Sequence, residues 1–312
     1  MLIRFALQAR PCSPVGSRLL ALAFVFGALS PFASLRAQQP VVALLPIAKD
    51  LYLWQGAAGN SVVAVSKPGI AIVGPQLAAE QAALAHAIAG VTPLPVRFVM
   101  LTGHPTVDTD RDANWARAGA ITIVEEHTGY RIGKGLRDQF GKNAVPLSAP
   151  AMATLGFSEV QQIHLTEEDI HVVRQKPGNT SSDISAHFEE AKVIYLGESV
   201  RMDAYPTIDE AHGGSLNGLI ETSAKFMSWP ATTKFVPGHG NVLSPFELKT
   251  YHDMLVAVRD RVKSLKESGQ SLDAIVAARP SAAFDDMWKA DATAAKALVT
   301  AAYKSLEAPA AK

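Results

Sequence analysis

Residues 100–110, MLTGHPTVDTD, place one histidine and two aspartates directly after an apolar run. Imidazole nitrogens and carboxylate oxygens are the groups a protein offers to a divalent metal. His104 and Asp108 are therefore candidate metal ligands, with Asp110 and Asp112 beside them. Asp110 and Asp112 have a second reading as helix caps, accepting backbone N–H groups at the start of a helix over 112–119. Other chemistries leave no motif. The chain has no Gly-x-Ser-x-Gly elbow, no Gly-x-Gly-x-x-Gly turn and no P-loop.

The elements that must position these groups read as follows. Residues 51–73 form strands broken by Gly and Pro, and 77–89 form a helix with Leu77, Leu84 and Ile88 on one face. VRFVML at 96–101 is a strand, 112–119 a helix, and AITIVEE a strand again. After a Pro- and Gly-containing stretch, 129–157, strands return at 160–165, 168–175, 184–188 and 192–196. A helix at 215–228 leads into TKFVPGHG, a strand entering a glycine turn. This order predicts an α/β domain with two sheets and helices outside them. From 245 the chain turns helical. Leu248, Tyr251, Leu255, Val258, Val262 and Leu265 make one apolar stripe, Gly269 stops it, and shorter helices are expected over 271–278 and 285–305.

The first 37 residues have the order of a secretory leader: arginines 4, 10 and 18, an apolar core at 19–29, then small residues up to Ala37. That core is short of the roughly 20 residues a membrane span needs. Removing the leader takes away four arginines and no acid, leaving 25 basic against 29 acidic residues, a net charge of −4. Such a surface argues against a nucleic-acid partner, because phosphates demand basic charge. The only cysteine, Cys12, lies in the leader. The remaining chain has no disulfide and no thiol ligand or nucleophile. The expected location is the periplasm or the outside of the cell, with no stable membrane span after cleavage.

Several landmarks fall in a recognisable order: GAAGNSVVAVSKPGIAIVG, PVRFVMLTGHP, ARAGAITIVEEH, EEAKVIYLGES, YPTIDEAHGGSLNGLI and KFVPGHGNVLS. Over about residues 45–245 the chain resembles the metallo-β-lactamase superfamily. The resemblance implies an αββα sandwich with a dinuclear metal site, usually zinc, at the edge where loops of both sheets meet. With the leader at 1–37, the expected organisation is a sandwich over 38–245 and a helical C-terminal extension, 246–312, packed on the same domain.

The family's His-x-His-x-Asp-His loop falls on GHPTVD, 103–108. Gly103, Pro105, Val107 and Asp108 stand at its four ligand positions, and His104 stands between them. Asn179 in NTSSD takes the place of the next ligand histidine, with Thr180 and Asp183 matching their positions. Glu198 replaces the bridging aspartate, and His239 alone stands where the family has its histidine. The Asp-Thr-Gly turn after the early strands is replaced by Gly74, Pro75 and Gln76.

Glycine, proline and valine donate no side-chain atom, and asparagine offers a neutral oxygen poorly suited to zinc. A catalytic zinc takes about three protein ligands plus the water whose pKa it lowers to about 7. The expectation is an exported protein with a degenerate metal centre, without zinc-hydroxide hydrolysis, whose cleft binds a small molecule or a protein partner. No cofactor is expected on this reading. The alternative is a rebuilt mononuclear site, with zinc or another divalent metal, hydrolysing an ester, amide or thioester. His239 then reads either as a ligand or as an imidazole bonded into its own turn, and Glu198 as a ligand or a paired carboxylate. His127 and His212 lie in loops that border the cleft in relatives, each a pocket group or an exposed loop histidine. His86, His164, His171, His187 and His252 sit in regular elements.

Overall fold

The computed structural model describes residues 43–75, 77–102, 113–130 and 155–307. His104, Asp108, Asp110 and Asp112, and the 1–37 leader, lie outside the described residues.

Two sheets form. The first runs in order β1 (Leu45–Ala48), β2 (Leu51–Gly56), β3 (Gly59–Ser66), β4 (Gly69–Val73), β5 (Val96–Leu101), β6 (Ile121–Glu125) and β7 (Leu155–Phe157). Its first four strands are antiparallel meanders. From β4 onward the pairings are parallel. Parallel neighbours need a crossover, and helices α1 (Gln81–Ala89) and α2 (Ala113–Arg117) stand between those strands in the chain. The second sheet is ordered β12 (Lys234–His239), β11 (Val193–Arg201), β10 (Ile184–Phe188), β9 (Asp169–Arg174) and β8 (Val160–His164). Only β11 and β12 pair in parallel there, with helix α3 (Leu216–Met227) between them.

Side chains alternate between the two faces of a strand, and this builds three apolar layers. Val62, Ala71, Val73, Met100 and Ile123 face Ile170, Val172, Ala186, Tyr195 and Val236 between the sheets. Their neighbours Val63, Ile70, Ile72, Val99 and Leu101 pack with Leu84 and Ile88 of α1 and Trp115 of α2. On the far side, Ile194, Leu196 and Phe235 pack under α3 and the C-terminal helices. The result is an αββα sandwich.

The C-terminal helices are α4 (Pro245–Glu267), α5 (Leu272–Ala277) and α6 (Ala292–Ser305). A capping box starts α4, with Ser244 and Glu247 each bonded to the other's backbone N–H. The predicted stripe is buried: Leu248, Tyr251, Leu255, Val258 and Val262 belong to the same apolar cluster as β11, β12 and α3. Gly269, at φ +83°, follows the last turn as a left-handed stop. The helix expected over 285–305 begins only at Ala292, capped by Asp291. The preceding residues form turns that insert Trp288, which stacks on Tyr205 at 6.2 Å. Tyr205 Oη donates to Asp285 Oδ1 at 2.9 Å, hooking the loop after β11 to the extension. Strand β11 runs to Arg201, beyond the expected 196, and β1 and β7 are short strands that periodicity does not reveal.

Among the described residues no helix is long and apolar enough to cross a membrane. Because Trp288 fills a core shared by both sets of elements, Trp288→Ala is expected to cost about 3–5 kcal/mol. In urea melts followed by far-UV circular dichroism it shifts one transition. A second transition would mean that the extension unfolds on its own.

Candidate functional site

The carboxyl ends of β4, β5, β6 and β12 lie at one edge of the sandwich, and polar side chains tie the sheets together there. Asn60, at the start of β3, is 3% exposed and donates through Nδ2 to the carbonyls of Pro237 at 2.9 Å and Gly240 at 2.8 Å. Gln55 Nε2 donates to the same Gly240 oxygen. These bonds clamp the PGHG turn to the first sheet. Tyr195 Oη and Thr102 Oγ1, 3.0 Å apart, make a second crossing. At the former Asp-Thr-Gly position, Gly74 adopts φ +145° and Pro75 O accepts from Ser61 Oγ at 2.8 Å, a turn held by backbone and hydroxyl alone.

Glu198 and His239 are brought together. The pairing of β11 with β12 loses register around Gly197, whose φ is +55°, and this throws Glu198 onto the edge. His239 ends β12, and its Nε2 lies 3.5 Å from Glu198 Oε1. The approach depends on glycine. A Cβ on Gly238 would stand 2.7 Å from that same Glu198 oxygen. Arg201 and Asp203 pair beside them, Nε to Oδ1 at 2.7 Å and Nη2 to Oδ2 at 3.1 Å. Burial pushes the Glu198 carboxyl up to about 7, against the pull of Arg201 and with help from Asp183 and Asp203. Burial also lowers the His239 imidazole, with Arg201 adding to it and Asp203 opposing. Both shifts favour the neutral forms, so the pair is a weak ion pair.

The Asn179 amide is tied into its own corner through Nδ2. Its Nδ2 donates to Thr207 O at 2.8 Å, while its backbone N–H donates to Asp183 Oδ2 at 2.7 Å. Asp183 organises this corner. It also accepts from Thr180 N at 2.8 Å, Thr180 Oγ1 at 3.1 Å and Ser199 Oγ at 3.3 Å. Burial nevertheless raises its carboxyl to about 6.

A second polar group closes the edge at β6. Glu125, the last residue of that strand, is buried. His127 Nδ1 donates to its Oε1 at 2.6 Å and Thr128 N to its Oε2 at 3.0 Å, with Arg174 Nε of β9 at 3.8 Å. Thr128 Oγ1 reaches Ser182 Oγ at 2.8 Å, joining this group to the Asp183 turn. His212 Nδ1 bonds Asp209 Oδ2 at 2.6 Å, and its carbonyl accepts from Ser181 N. His127 and His212 are thus carboxylate-held rather than simple loop histidines. Glu125, Arg174 and the Arg201–Asp203 pair were not legible as site residues. The signal for Glu125 is a carboxylate closing the otherwise apolar run ITIVE.

Of the four candidate ligands, the structure brings Glu198 and His239 together, while His104 and Asp108 fall outside the described residues. Among the described residues no group of three or more His, Cys, Asp or Glu side chains could hold a metal ion. Among the described residues Glu198 and His239 supply two of the roughly three protein ligands that a catalytic zinc needs.

No protein-family model matches the chain, and no curated protein sequence matches it. Solved structures do. A metallo-β-lactamase from Pontibacter korlensis superposes with a TM-score of 0.55 at 13% identity, over 68% of this chain and 97% of that one. DIM-1 metallo-β-lactamase gives 0.53 at 15%, over 68% and 95%. The stereoselective inverting sec-alkylsulfatase Pisa1 from Pseudomonas sp. gives 0.63 at 13%, over 84% of this chain but only 50% of its own length. The chain has the metallo-β-lactamase fold.

Proposed function

We propose that this is an exported metallo-β-lactamase-fold protein with a degenerate metal centre. It does not carry out zinc-hydroxide hydrolysis, and its cleft binds a small molecule or a protein partner. The observation that carries this reading is the fate of the ligand positions. Asn179 stands where the resemblance places a ligand histidine, with its Nδ2 bonded to Thr207 O, and burial opposes ionising Glu198 beside His239. Without a field of about three ligands, a bound water keeps too high a pKa to ionise at neutral pH. Export is supported by the basic, apolar and small-residue order of the first 37 residues.

One observation favours the second reading, a rebuilt mononuclear site. Two ligands of a tetrahedral ion at roughly 2.1 Å stand about 3.4 Å apart, close to the 3.5 Å between His239 Nε2 and Glu198 Oε1. His104 and Asp108 would have to complete that set, and the substrate would be an ester, amide or thioester.

Two measurements separate the readings. Metal analysis of the purified, dialysed protein is expected to find well under one equivalent of transition metal. A full equivalent that disappears in His239→Ala overturns the proposal. The second measurement uses Glu198. Its folded value of about 7 exceeds the ordinary carboxyl value of 4.5. Below pH 4.5 both states hold the proton. Between 4.5 and 7 only the folded state keeps it, so stability falls as pH rises, and the whole effect is lost above 7. The expected loss is on the order of 2–3 kcal/mol. Chemical denaturation from pH 4.5 to 8 should show a smaller decline in Glu198→Gln than in the natural chain. A bound divalent cation holds the carboxylate ionised, so a natural chain that behaves like Glu198→Gln until chelator is added supports the rebuilt site.

A further inference from the structure

Five histidines of the described chain lie against a carboxylate, and one pair differs from the rest. The carboxylate side chains of Asp169, Glu189, Asp209 and Glu198, beside His164, His171, His212 and His239, are 37%, 45%, 28% and 19% exposed. Glu125, beside His127, is 2% exposed. Its two oxygens are held by His127 Nδ1 and by the Thr128 N–H, while Arg174 Nε, which donates to Ser181 O at 3.2 Å, lies at an ion-pair distance of 3.8 Å. A carboxylate so placed dictates the tautomer. Nδ1 carries the hydrogen and Nε2 carries the lone pair. The His127 side chain is 44% exposed, so its ring is open to solvent while its carboxylate is not. A buried acceptor orienting an accessible imidazole is the arrangement that makes a histidine a directed proton acceptor.

The place in the fold is the second observation. Glu125 ends a parallel strand, and open α/β sheets present their working groups beyond the carboxyl ends of parallel strands. Through Thr128, Ser182 and Thr180 the pair is joined by hydrogen bonds to Asp183 and on to Ser199, the neighbour of Glu198 in the chain.

We propose that His127, oriented by Glu125, is a metal-independent acid–base centre of this cleft, suited to cleaving a carboxylic ester. The inference goes beyond the reading that no metal hydroxide is made, and it rests on that reading for its distinction from the fold's usual chemistry. In the step, the oxygen of a water bonds to the acyl carbon as His127 Nε2 takes the water's proton. The carbon–alkoxide bond then breaks, and Nε2 returns the proton to the departing alkoxide. Ester and water become acid and alcohol, and the imidazole is restored. His127 is the catalytic residue and Glu125 its positioning residue.

The test uses the leaderless chain with p-nitrophenyl acetate as probe, before and after EDTA. Hydrolysis above that of free imidazole at equal concentration is expected to survive EDTA and to fall about 100-fold in His127→Gln, the lower end of general-base effects. His164→Gln, a carboxylate-paired histidine on the outer strand β8, should leave the rate unchanged. Nitrogen-15 NMR of the histidine ring supplies a readout that mere structural damage does not give. His127 should be the Nδ1–H tautomer in the natural chain and a mixture in Glu125→Gln, with the rest of the spectrum preserved. No hydrolysis above imidazole, an EDTA-resistant rate indifferent to His127→Gln, or a predominant Nε2–H tautomer overturns the inference alone. A rate abolished by EDTA and restored by zinc overturns both it and the proposed function.

Discussion

Two sheets that meet through an apolar interior can exchange hydrogen bonds only where that interior ends, and the site is built from those exchanges. Asn60 bonding Pro237 and Gly240, Tyr195 meeting Thr102, and Glu125 drawing on Arg174 each join one sheet to the other. Each is buried or nearly so, so leaving one half unmatched costs about 1–3 kcal/mol, more where a charge is involved. This row of crossings fixes the gap between the sheets at one edge. It holds the PGHG turn against the first sheet, while the distance from His239 to Glu198 is set by the pairing of β11 with β12 inside the second. The glycines at 197 and 238 are consequences of the same closeness, because a side chain at 238 would meet the Glu198 carboxylate.

Within that edge the substituted corner has become a structural one. Asp183 takes bonds from two backbone N–H groups and two hydroxyls, and Asn179 fastens the same turn to Thr207. The Asn179 bond supplies the loop over 205–214 with an anchor at Thr207. That loop is held from its other side by Tyr205 on Asp285 and by Lys304 on Glu210, both partners in the C-terminal extension. The extension also reaches β11 itself, where Tyr251 Oη donates to Ser199 O at 3.0 Å beside Glu198.

How much of this could be read from the residues follows from what each pattern encodes. Period-two apolar runs such as ITIV and VVAV announce strands because each face is buried in a different layer, and the stripe from Leu248 to Val262 announces a helix for the same reason. Short strands such as Leu45–Ala48 and Leu155–Phe157 carry too few alternations to stand out. The turns before Ala292 look helical in composition, since Ala and Asp there satisfy helix and turn alike. Glu198 and His239 were legible as a pair because both sit in short glycine-bearing motifs. Glu125 and Arg174 were not, because their partnership spans two sheets and no local spacing records it. Asn179 was legible as a substitution, whereas the bond that replaces metal ligation depends on where Thr207 folds back.

The charge balance at the edge then limits what the cleft can receive. Glu198, Asp183 and Asp203 stand near one another with Arg201 as the cation named beside them, and Arg201 is already held bidentately by Asp203. Burial raises the Glu198 carboxyl and lowers the His239 imidazole, so both groups at that end are biased toward their uncharged forms, which hydrogen-bond rather than attract by charge. Polar recognition there is consequently short-ranged and directional. It favours a ligand that offers matched donors and acceptors over one that relies on net charge, and it leaves acid–base work to the separate group at Glu125, where a buried carboxylate is already matched by a guanidinium, an imidazole and a backbone N–H.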